Sequence, residues 1–382
     1  MSLSPTPFDG NAIAPQTECF LGETHRLLIG GEWVEGSGEL ETRDPATGLL
    51  LARFQTGGAA EVDRAVNAAR AAFEGPWGRM TVAERTALLH KLARVMDANA
   101  TLLTELDVID NGMPRFIAGL TTANCVEMID YYAGAVMRIE GTTTAPPRHI
   151  AAETEALTYT LREPVGVAGQ IVPWNVPLST AILKLAPALA AGCTVVMKPS
   201  EETPLSALAL GRMILEAGIP AGVVNIVNGA GAEAGQALAE HPGVDKISFT
   251  GSTITGKRII QAALGNLKKV SLELGGKSPV VVMPDAVDLD RIGDDRHLAR
   301  KSLGCAGLDV ERAAMERTLD DVAILISVGQ HGIAVGAKIV GNKNLAIDIV
   351  DGKRRHSLCE CRNRLAVFHA GSFTKAQLVR HG

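Results

Sequence analysis

The stretch VGVAGQIVPWNVPLSTAILKLAPALAAGCTVVMKPS, residues 165–200, contains the pattern that best indicates the fold class of this chain. An apolar run at 165–172 predicts a strand, and an amphipathic segment at 178–190 predicts a helix. A second apolar run, at 194–197, predicts another strand. Because strands joined through a crossover helix run parallel, the stretch predicts one strand-helix-strand unit of an α/β fold.

The alternation of strands and helices continues along the chain. Its predicted elements are a helix at 206–217, a strand at 223–227, a helix at 233–239 and a strand at 246–250. This pattern is typical of a doubly wound parallel sheet, which binds ligands outside the carboxyl ends of its strands. We therefore expect the functional residues directly after each strand.

The sequence that precedes residue 165 predicts mostly helices. Apart from short strands joined by a turn between 27 and 48, amphipathic helices are indicated at 59–73, at 81–96 and at 121–139. The predicted fold class is therefore α/β, a doubly wound parallel-sheet domain with N-terminal helices.

Composition and charge exclude several classes of protein. The chain has 382 residues, 46% hydrophobic and 21% charged, as expected for a soluble protein of two or more domains. A net charge of −5 without any Lys/Arg run argues against a nucleic-acid partner. Residues 1–26 have neither a basic start nor an apolar core, which predicts a loose leader rather than a signal peptide or membrane span. Six cysteines without disulfide spacing favour a cytoplasmic location.

A single carboxylate, Glu273, interrupts the apolar run at 270–274, and two glycines follow that run. Partial desolvation in such a setting raises the pKa of a carboxylate toward the range of a general base. The alternative is an edge-strand glutamate in solvent.

Gly251, Ser252 and Gly256 lie in the connection from a strand to a helix. Backbone amides and a hydroxyl at a helix N-terminus can bind an anion such as a pyrophosphate, although ordinary turn glycines are equally compatible with the pattern. The GxGxxG fingerprint is absent, and the loop containing Gly229 and Gly231 resembles it only loosely.

Polar residues also follow the first two strands of the sheet. Lys198 and Glu201 offer a donor and an acceptor that could clamp a ribose diol, or they are surface charges in solvent. Asn175, between Trp174 and Val176, has an amide that could donate to a developing oxyanion. Its alternative role is to cap the helix that begins near 177.

Several motifs together resemble the aldehyde dehydrogenase superfamily over residues 27–291. They lie at 30–33, 44–48, 110–114, 173–175, 197–201, 249–252 and 272–277. The resemblance implies a dinucleotide-binding domain at 27–140 and 163–271, a bridging hairpin at 141–162 that serves oligomerisation, and a catalytic domain that starts at 272–291. It also implies a homo-oligomer and a small-molecule aldehyde as substrate, and neither nucleic acid nor membrane is expected as a partner.

The resemblance further implies a mechanism and a cofactor. An active-site cysteine attacks the aldehyde, Asn175 helps to hold the oxyanion, hydride passes to NAD, and Glu273 activates the water that hydrolyses the thioester. The implied cofactor-binding residues are Pro173, Trp174, Lys198, Glu201, Gly229, Gly251, Ser252, Gly256 and Leu274. The carboxylate of Glu201 favours NAD over NADP, since it would repel a 2′-phosphate.

The chain departs from the family pattern at the nucleophile. The family's spacing leads to Gly307, and the nearby Cys305 lacks the Gly-Gln context, which favours an incidental thiol. Residues 292–382 do not match the family and are unassigned. Their abrupt change in composition suggests a frameshifted or fused reading frame. Histidines and cysteines within that tail lack the usual spacing of a structural zinc site, so no metal is predicted.

Three interpretations of function remain open from the sequence. The first is an aldehyde dehydrogenase whose turnover is impaired because its nucleophilic cysteine is not found. The second is a protein that binds NAD without catalysis, and the third is an unstable truncated product that exposes apolar surface.

Overall fold

A computed structural model describes residues 13–145 and 157–276, together with the backbone of five strands between 280 and 361. The chain divides into two units, Met1–Leu274 and Gly275–Gly382. Lys277, Cys305 and most of the unassigned tail lie outside the described residues.

The first unit begins with short strands and then becomes helical. Its first elements are α1 (Pro15–Leu21), β1 (Thr24–His25), β2 (Leu27–Ile29), β3 (Glu32–Val34), β4 (Gly38–Arg43), β5 (Leu50–Thr56), α2 (Ala59–Glu74), α3 (Pro76–Arg79), α4 (Val82–Ala98), α5 (Ala100–Asn111) and α6 (Arg115–Ala135). A 3-10 turn at Val136–Arg138 and the short strands β6 (Thr143–Thr144) and β7 (Thr158–Tyr159) follow.

Strands and helices alternate in the rest of this unit. They are β8 (Val167–Ile171), α7 (Pro177–Ala190), β9 (Thr194–Lys198), α8 (Leu205–Glu216), β10 (Val224–Ile226), a π-helical turn (Gly231–Gly235), α9 (Gln236–Glu240), β11 (Lys246–Gly251), α10 (Thr253–Ala262), a 3-10 turn (Ala263–Gly265) and β12 (Lys269–Leu274). The strands predicted from the apolar runs are thus present to within a residue or two at each end.

The main sheet has seven strands in the order β12-β11-β8-β9-β10-β2-β3. The five strands from β12 to β10 are parallel, and β2 and β3 join as an antiparallel edge. In chain order the parallel strands occupy positions 3-2-1-4-5, which is the doubly wound arrangement. The predicted fold class is confirmed, and the strand order reverses between β8 and β11.

Helices cover both faces of the sheet because its central strands are apolar on both sides. Along β9, Val195 and Met197 pack with one group of helices, α4 to α8, whereas Val196 packs with α2, α9 and α10 on the other face. All residues of β8, β9 and β10 are buried. Burial on both sides explains why these strands appear as continuous apolar runs rather than alternating ones.

The prediction of a loose leader at 1–26 is wrong for the part that the structure describes. The helix α1 packs into the core with Phe20, whose exposed fraction is 2%. The buried carboxylate of Glu105 accepts hydrogen bonds from the Ala14 amide (3.0 Å) and the Thr17 hydroxyl (2.6 Å). A partner in α5, 91 residues away in the chain, therefore fixes this segment, and local sequence could not indicate it.

The remaining sheets are small or lie in the second unit. Strands β1, β5 and β4 form a three-stranded sheet, and β6 and β7 pair antiparallel as a hairpin whose residues 146–156 lie outside the description. In the second unit the strands β13 (Val280–Val281), β14 (Leu325–Val328), β15 (Ala334–Val340), β16 (Asn344–Asp351) and β17 (Arg354–Cys361) pair antiparallel in chain order. None of the helices described is long and apolar enough to cross a membrane.

Candidate functional site

The predicted site residues lie at the carboxyl edge of the parallel sheet. The register pairs Ile171 with Lys198 on neighbouring strands, and Gly251 with Leu274 on another pair. The loops that follow these strands therefore leave the sheet at the same edge, on both sides of the point where the strand order reverses.

A buried lysine and a half-buried glutamate form an ion pair at the end of β9. The Nζ of Lys198, whose exposed fraction is 3%, donates to Oε2 of Glu201 over 2.6 Å. The other carboxylate oxygen of Glu201, Oε1, accepts from the Gly231 amide over 3.0 Å. The two side chains are therefore a bonded pair that bridges two strand-end loops, and not separate surface charges in solvent.

Each member of the pair favours the charged form of the other. Burial lowers the pKa of Lys198, and the hydrogen bond and charge of Glu201 oppose this effect. Burial favours a raised pKa for Glu201, but the hydrogen bond and charge of Lys198 outweigh it, so the pKa of Glu201 is lowered. Glu201 thus presents an ionised carboxylate that is still partly accessible.

After β10, the backbone at Gly229 passes so close to that of Gly57 that only a glycine fits there. Its φ is +153°, and a Cβ there would lie 2.5 Å from the Gly57 carbonyl oxygen. The Gly57 amide in turn donates to the Asn228 carbonyl over 2.8 Å. This pairing holds the loop that begins at Gly229 against the start of α2, beside the Glu201 contact at Gly231.

The connection from β11 to α10 is a capped helix start. The Ser252 hydroxyl accepts from the Thr255 amide over 3.1 Å and is the N-cap of α10. A Cβ on Gly256 would lie 2.6 Å from Cδ2 of Leu274, so this glycine lets the first turn of the helix pack against the end of β12. Close packing, rather than an unusual turn, accounts for Gly256, and the remaining amides of the first turn stay available to a ligand.

Asn175 is exposed, and the structure excludes its alternative role as a helix cap. The N-cap of α7 is Val176, without a side-chain hydrogen bond at the cap. The preceding carbonyl, of Trp174, accepts from Nδ2 of Asn111 (2.7 Å) and from the Thr203 hydroxyl (3.3 Å). The Asn175 amide is therefore not used to begin the helix.

Glu273 lies on the edge strand β12, opposite Thr250, and its side chain is exposed. The prediction of a partly desolvated carboxylate is wrong for this chain as the structure describes it. The physical reason is the position of β12 at the edge of the sheet, where the strand alternates between exposed and half-buried residues. The alternative of an edge-strand glutamate in solvent describes its surroundings correctly.

One buried lysine beside β11 was not predicted from the sequence. Lys184 on α7 is 8% exposed, and its Nζ donates to the Ser248 hydroxyl of β11 over 2.9 Å. Burial lowers the pKa of Lys184 to about 8, against the charge of Glu273, which raises it. The available signal was a lysine on the apolar face of a helix, in phase with Ala181 and Leu185.

Side chains are described for three of the cysteines, and two of these thiols are buried. Burial raises the pKa of Cys125 to about 12 and also raises that of Cys193, so neither thiol ionises readily at neutral pH. Cys19 is exposed on α1. Within the described ranges, no group of three potential metal ligands was found.

Comparisons with known proteins identify relatives of this chain. The model of the aldehyde dehydrogenase family matches residues 33–307. An aldehyde dehydrogenase of Emericella nidulans is 46% identical over 267 residues, which cover 69% of this chain and 52% of the relative. The mitochondrial aldehyde dehydrogenase of Homo sapiens is 42% identical over 329 residues, covering 83% of this chain and 61% of the relative.

Solved structures agree with these relatives. The NAD+ complex of an aldehyde dehydrogenase from Bacillus cereus has a TM-score of 0.70 and 44% identity, and the match covers 74% of this chain and 57% of that one. The chain spans about half the length of the curated relatives that it matches. The family match ends at residue 307, beyond the limit near Arg291 that the motifs indicated, and it includes Cys305. With this match over more than half of its length, the chain belongs to the aldehyde dehydrogenase family.

Proposed function

We propose that this chain binds NAD at the carboxyl edge of its parallel sheet and descends from enzymes that oxidise a small-molecule aldehyde to a carboxylic acid. The observation that carries the proposal is the Lys198–Glu201 pair, which is bonded to the Gly231 amide at the carboxyl edge of the sheet, one strand away from the strand-order reversal. The match to the aldehyde dehydrogenase family supports the same assignment.

The residues at this edge fit a dinucleotide. Lys198 and Glu201 would hold the ribose hydroxyls, and the first amides of α10, beginning after Ser252, would hold the pyrophosphate. Gly229 and Gly256 let this edge of the sheet pack closely against Gly57 and Leu274, where a Cβ would clash, and so they fix the loops that would surround the ligand. The contributions of Pro173, Trp174, Gly251 and Leu274 to the same pocket are part of the proposal.

NAD is preferred over NADP in this proposal. The lowered pKa of Glu201 keeps its carboxylate ionised at neutral pH. An ionised carboxylate accepts hydrogen bonds from ribose hydroxyls and repels a 2′-phosphate at close range.

The chain's own groups would carry the remaining steps. When bound, the nicotinamide would supply the hydride acceptor. The Asn175 amide would donate to the oxyanion that forms when a thiolate attacks the aldehyde, and the Glu273 carboxylate would take a proton from the hydrolytic water. Lys184, buried near the Glu273 charge, has a pKa of about 8, so it can hold or release a proton close to neutral pH.

We further propose that turnover is low or absent, so that the chain acts mainly as an NAD-binding protein. Two observations favour this second function: Glu273 is exposed rather than desolvated, and the buried thiols of Cys125 and Cys193 have raised pKa values. Cys305, which lies outside the described residues, is the remaining candidate nucleophile within the family match. It lacks the family's Gly-Gln context.

Titration and turnover measurements test both functions. NAD is titrated into the full chain, and NADH formation is followed with and without a series of short aldehydes. Aldehyde-dependent NADH formation that Cys305→Ala abolishes would establish the enzyme, whereas NAD binding without turnover would establish the binding protein. A wild-type chain that binds neither NAD nor NADP would refute the proposed function and favour an unstable product that exposes apolar surface.

The domain assignment and assembly are also proposals. We infer that the β6–β7 hairpin serves homo-oligomerisation and that the chain works in the cytoplasm, in keeping with the buried thiols of Cys125 and Cys193. We also infer that much of 292–382 derives from a frameshifted or fused reading frame, since the family match ends at 307. Translating the coding DNA beyond the Arg291 codon in all frames tests that origin, and it fails if no other frame continues the family pattern.

A further inference from the structure

We infer that Asn111, at the end of α5, is a positioning residue that fixes the peptide carrying Asn175; this inference rests on the proposed function of Asn175. The side-chain Nδ2 of Asn111 donates to the Trp174 carbonyl over 2.7 Å, 63 residues away in the chain. This is the shorter of the two side-chain hydrogen bonds that reach that carbonyl within the described residues.

The planarity of the peptide bond transmits this contact to Asn175. The Trp174 carbonyl and the Asn175 N–H belong to one rigid peptide unit, so holding the oxygen sets the direction of the Asn175 N–H and the position of its Cα. An amide that must meet an oxyanion within hydrogen-bond distance needs such a fixed support.

The other side of Asn175 is anchored by packing. Val176 packs against a small cluster of Val108, Met113 and Ala118, which are contributed by α5, the turn after it and α6. Asn175 is therefore an exposed residue between two neighbours that are both held by the end of α5 and its surroundings.

The same end of α5 also holds the loop that follows β9. Asp110 accepts from the Leu205 amide at the start of α8 over 2.9 Å, and it also accepts from the Thr42 hydroxyl. The Thr203 hydroxyl reaches the Trp174 carbonyl over 3.3 Å. One helix end thus sets the separation between the loop with Asn175 and the loop with Glu201.

Asn111 is not needed to end its own helix. Gly112, with a φ of +80°, is the C-cap of α5, and its amide donates to the Val108 carbonyl over 3.0 Å. The Met113 amide donates to the Asp107 carbonyl over 3.3 Å. These bonds close the last turn without a side chain, so the Asn111 amide is free to serve the neighbouring loop.

Fluorine NMR of the full chain labelled with 5-fluorotryptophan can test this positioning directly. The chain has three tryptophans, and Trp174→Phe assigns the resonance of Trp174 by its loss. Asn111→Ala and the isosteric Asn111→Asp, whose carboxylate cannot donate to a carbonyl, should shift or broaden the Trp174 resonance and leave those of Trp33 and Trp77 in place. Asn99→Ala, at the opposite end of α5, is the matched control and should leave the Trp174 resonance unchanged.

Measurements of NAD binding and turnover distinguish a failure of this inference from a failure of the proposed function. NAD affinity should fall less than kcat in Asn111→Ala, because the proposed ribose contacts come from Lys198 and Glu201, which form no hydrogen bond with Asn111 in the described part of the chain. Where the wild type turns over, kcat should fall roughly three- to tenfold, with a smaller change in the KM for NAD, as expected for the loss of one supporting hydrogen bond. A wild type that fails to bind NAD refutes the proposed function, while the fluorine spectra still decide the role of Asn111. Trp174 resonances that match the wild type in both Asn111 variants would overturn the inference.

Discussion

Replacing Asp107 with Asn should change how the stability of this protein depends on pH. Asp107 is fully buried on α5, and burial raises the pKa of its carboxyl from 3.8 to about 7. The Ser206 hydroxyl and the Leu178 amide lie close enough to favour the charged form, but neither makes a hydrogen bond of normal geometry to the carboxylate. The charged form is therefore poorly compensated.

The sign and size of this pH dependence follow from the linkage between proton binding and folding. Because the native state holds this proton more tightly than the unfolded chain does, the free energy of unfolding falls as the pH rises from about 4 to about 7 and is constant above that. Each pKa unit is worth about 1.4 kcal/mol, so Asp107 lowers stability at neutral pH by about 4 kcal/mol relative to acidic pH. Roughly 2–3 kcal/mol of this falls between about pH 5 and about pH 8.

Asp110, one turn further along α5, has its pKa raised to about 7, mainly by burial and in part by the charge of Asp107. The wild-type chain should therefore lose stability through both carboxyls over the same range. Asp107→Asn removes one of these groups and its repulsion of the other. Between about pH 5 and about pH 8, the free energy of unfolding should therefore fall in both proteins. The fall in the variant should be smaller than that in the wild type by at least about 2 kcal/mol.

Urea unfolding followed by circular dichroism at a series of pH values measures this difference. Asp97→Asn, which removes an exposed carboxylate from α4, controls for the change in net charge. Parallel pH profiles for the wild type and Asp107→Asn would contradict this prediction, because they would mean that Asp107 is not held in its protonated form by burial.

Three further predictions concern the candidate site and the residues that pack beside it. Glu201→Gln should weaken NAD binding by roughly tenfold, as expected for a hydrogen bond to a charged group, and weaken NADP binding less; equal losses in calorimetric titrations would contradict the assigned selectivity. Gly229→Ala should destabilise the fold by about 2 kcal/mol or more, because its Cβ would meet the Gly57 carbonyl at 2.5 Å. Gly231→Ala, where a Cβ meets its nearest atom at 3.9 Å, is the control, and equal melting temperatures for the two variants would argue against the close approach. The wild type should gain stability between about pH 8 and about pH 10 as Lys184 loses its proton, and Lys184→Met should lack this gain; a gain that persists in the variant would exclude Lys184 as its source.

The sequence indicated the central sheet well because its strands are short apolar runs that glycines and prolines separate. The runs at 165–172 and 194–197 are β8 and β9, buried throughout as fully covered parallel strands must be. The helix start after Thr81 was equally predictable, since its capping box forms as the sequence indicates. Each of these features depends on neighbours within a few residues.

The leader and Glu273 were less predictable because their surroundings come from distant parts of the chain. Ala14 and Thr17 are held by Glu105, and nothing in their local sequence indicates that contact. Glu273 resembles a buried strand residue in the apolar run at 270–274, yet the strand order places it on the edge strand β12. Strand order depends on how five parallel strands pair, and single runs do not specify it.

Sequence patterns were sufficient to predict the α/β class, the strand-end positions of the polar residues and the resemblance to aldehyde dehydrogenases. These follow from local periodicity and from motifs of a few residues. The contacts between polar groups depend on the folded arrangement: Lys198 meets Glu201, Glu201 meets the Gly231 amide, and Asn111 meets the Trp174 carbonyl. Hydrogen bonds require contact within about 3 Å, and residues far apart in the chain reach that distance only after the sheet has brought its strand ends together.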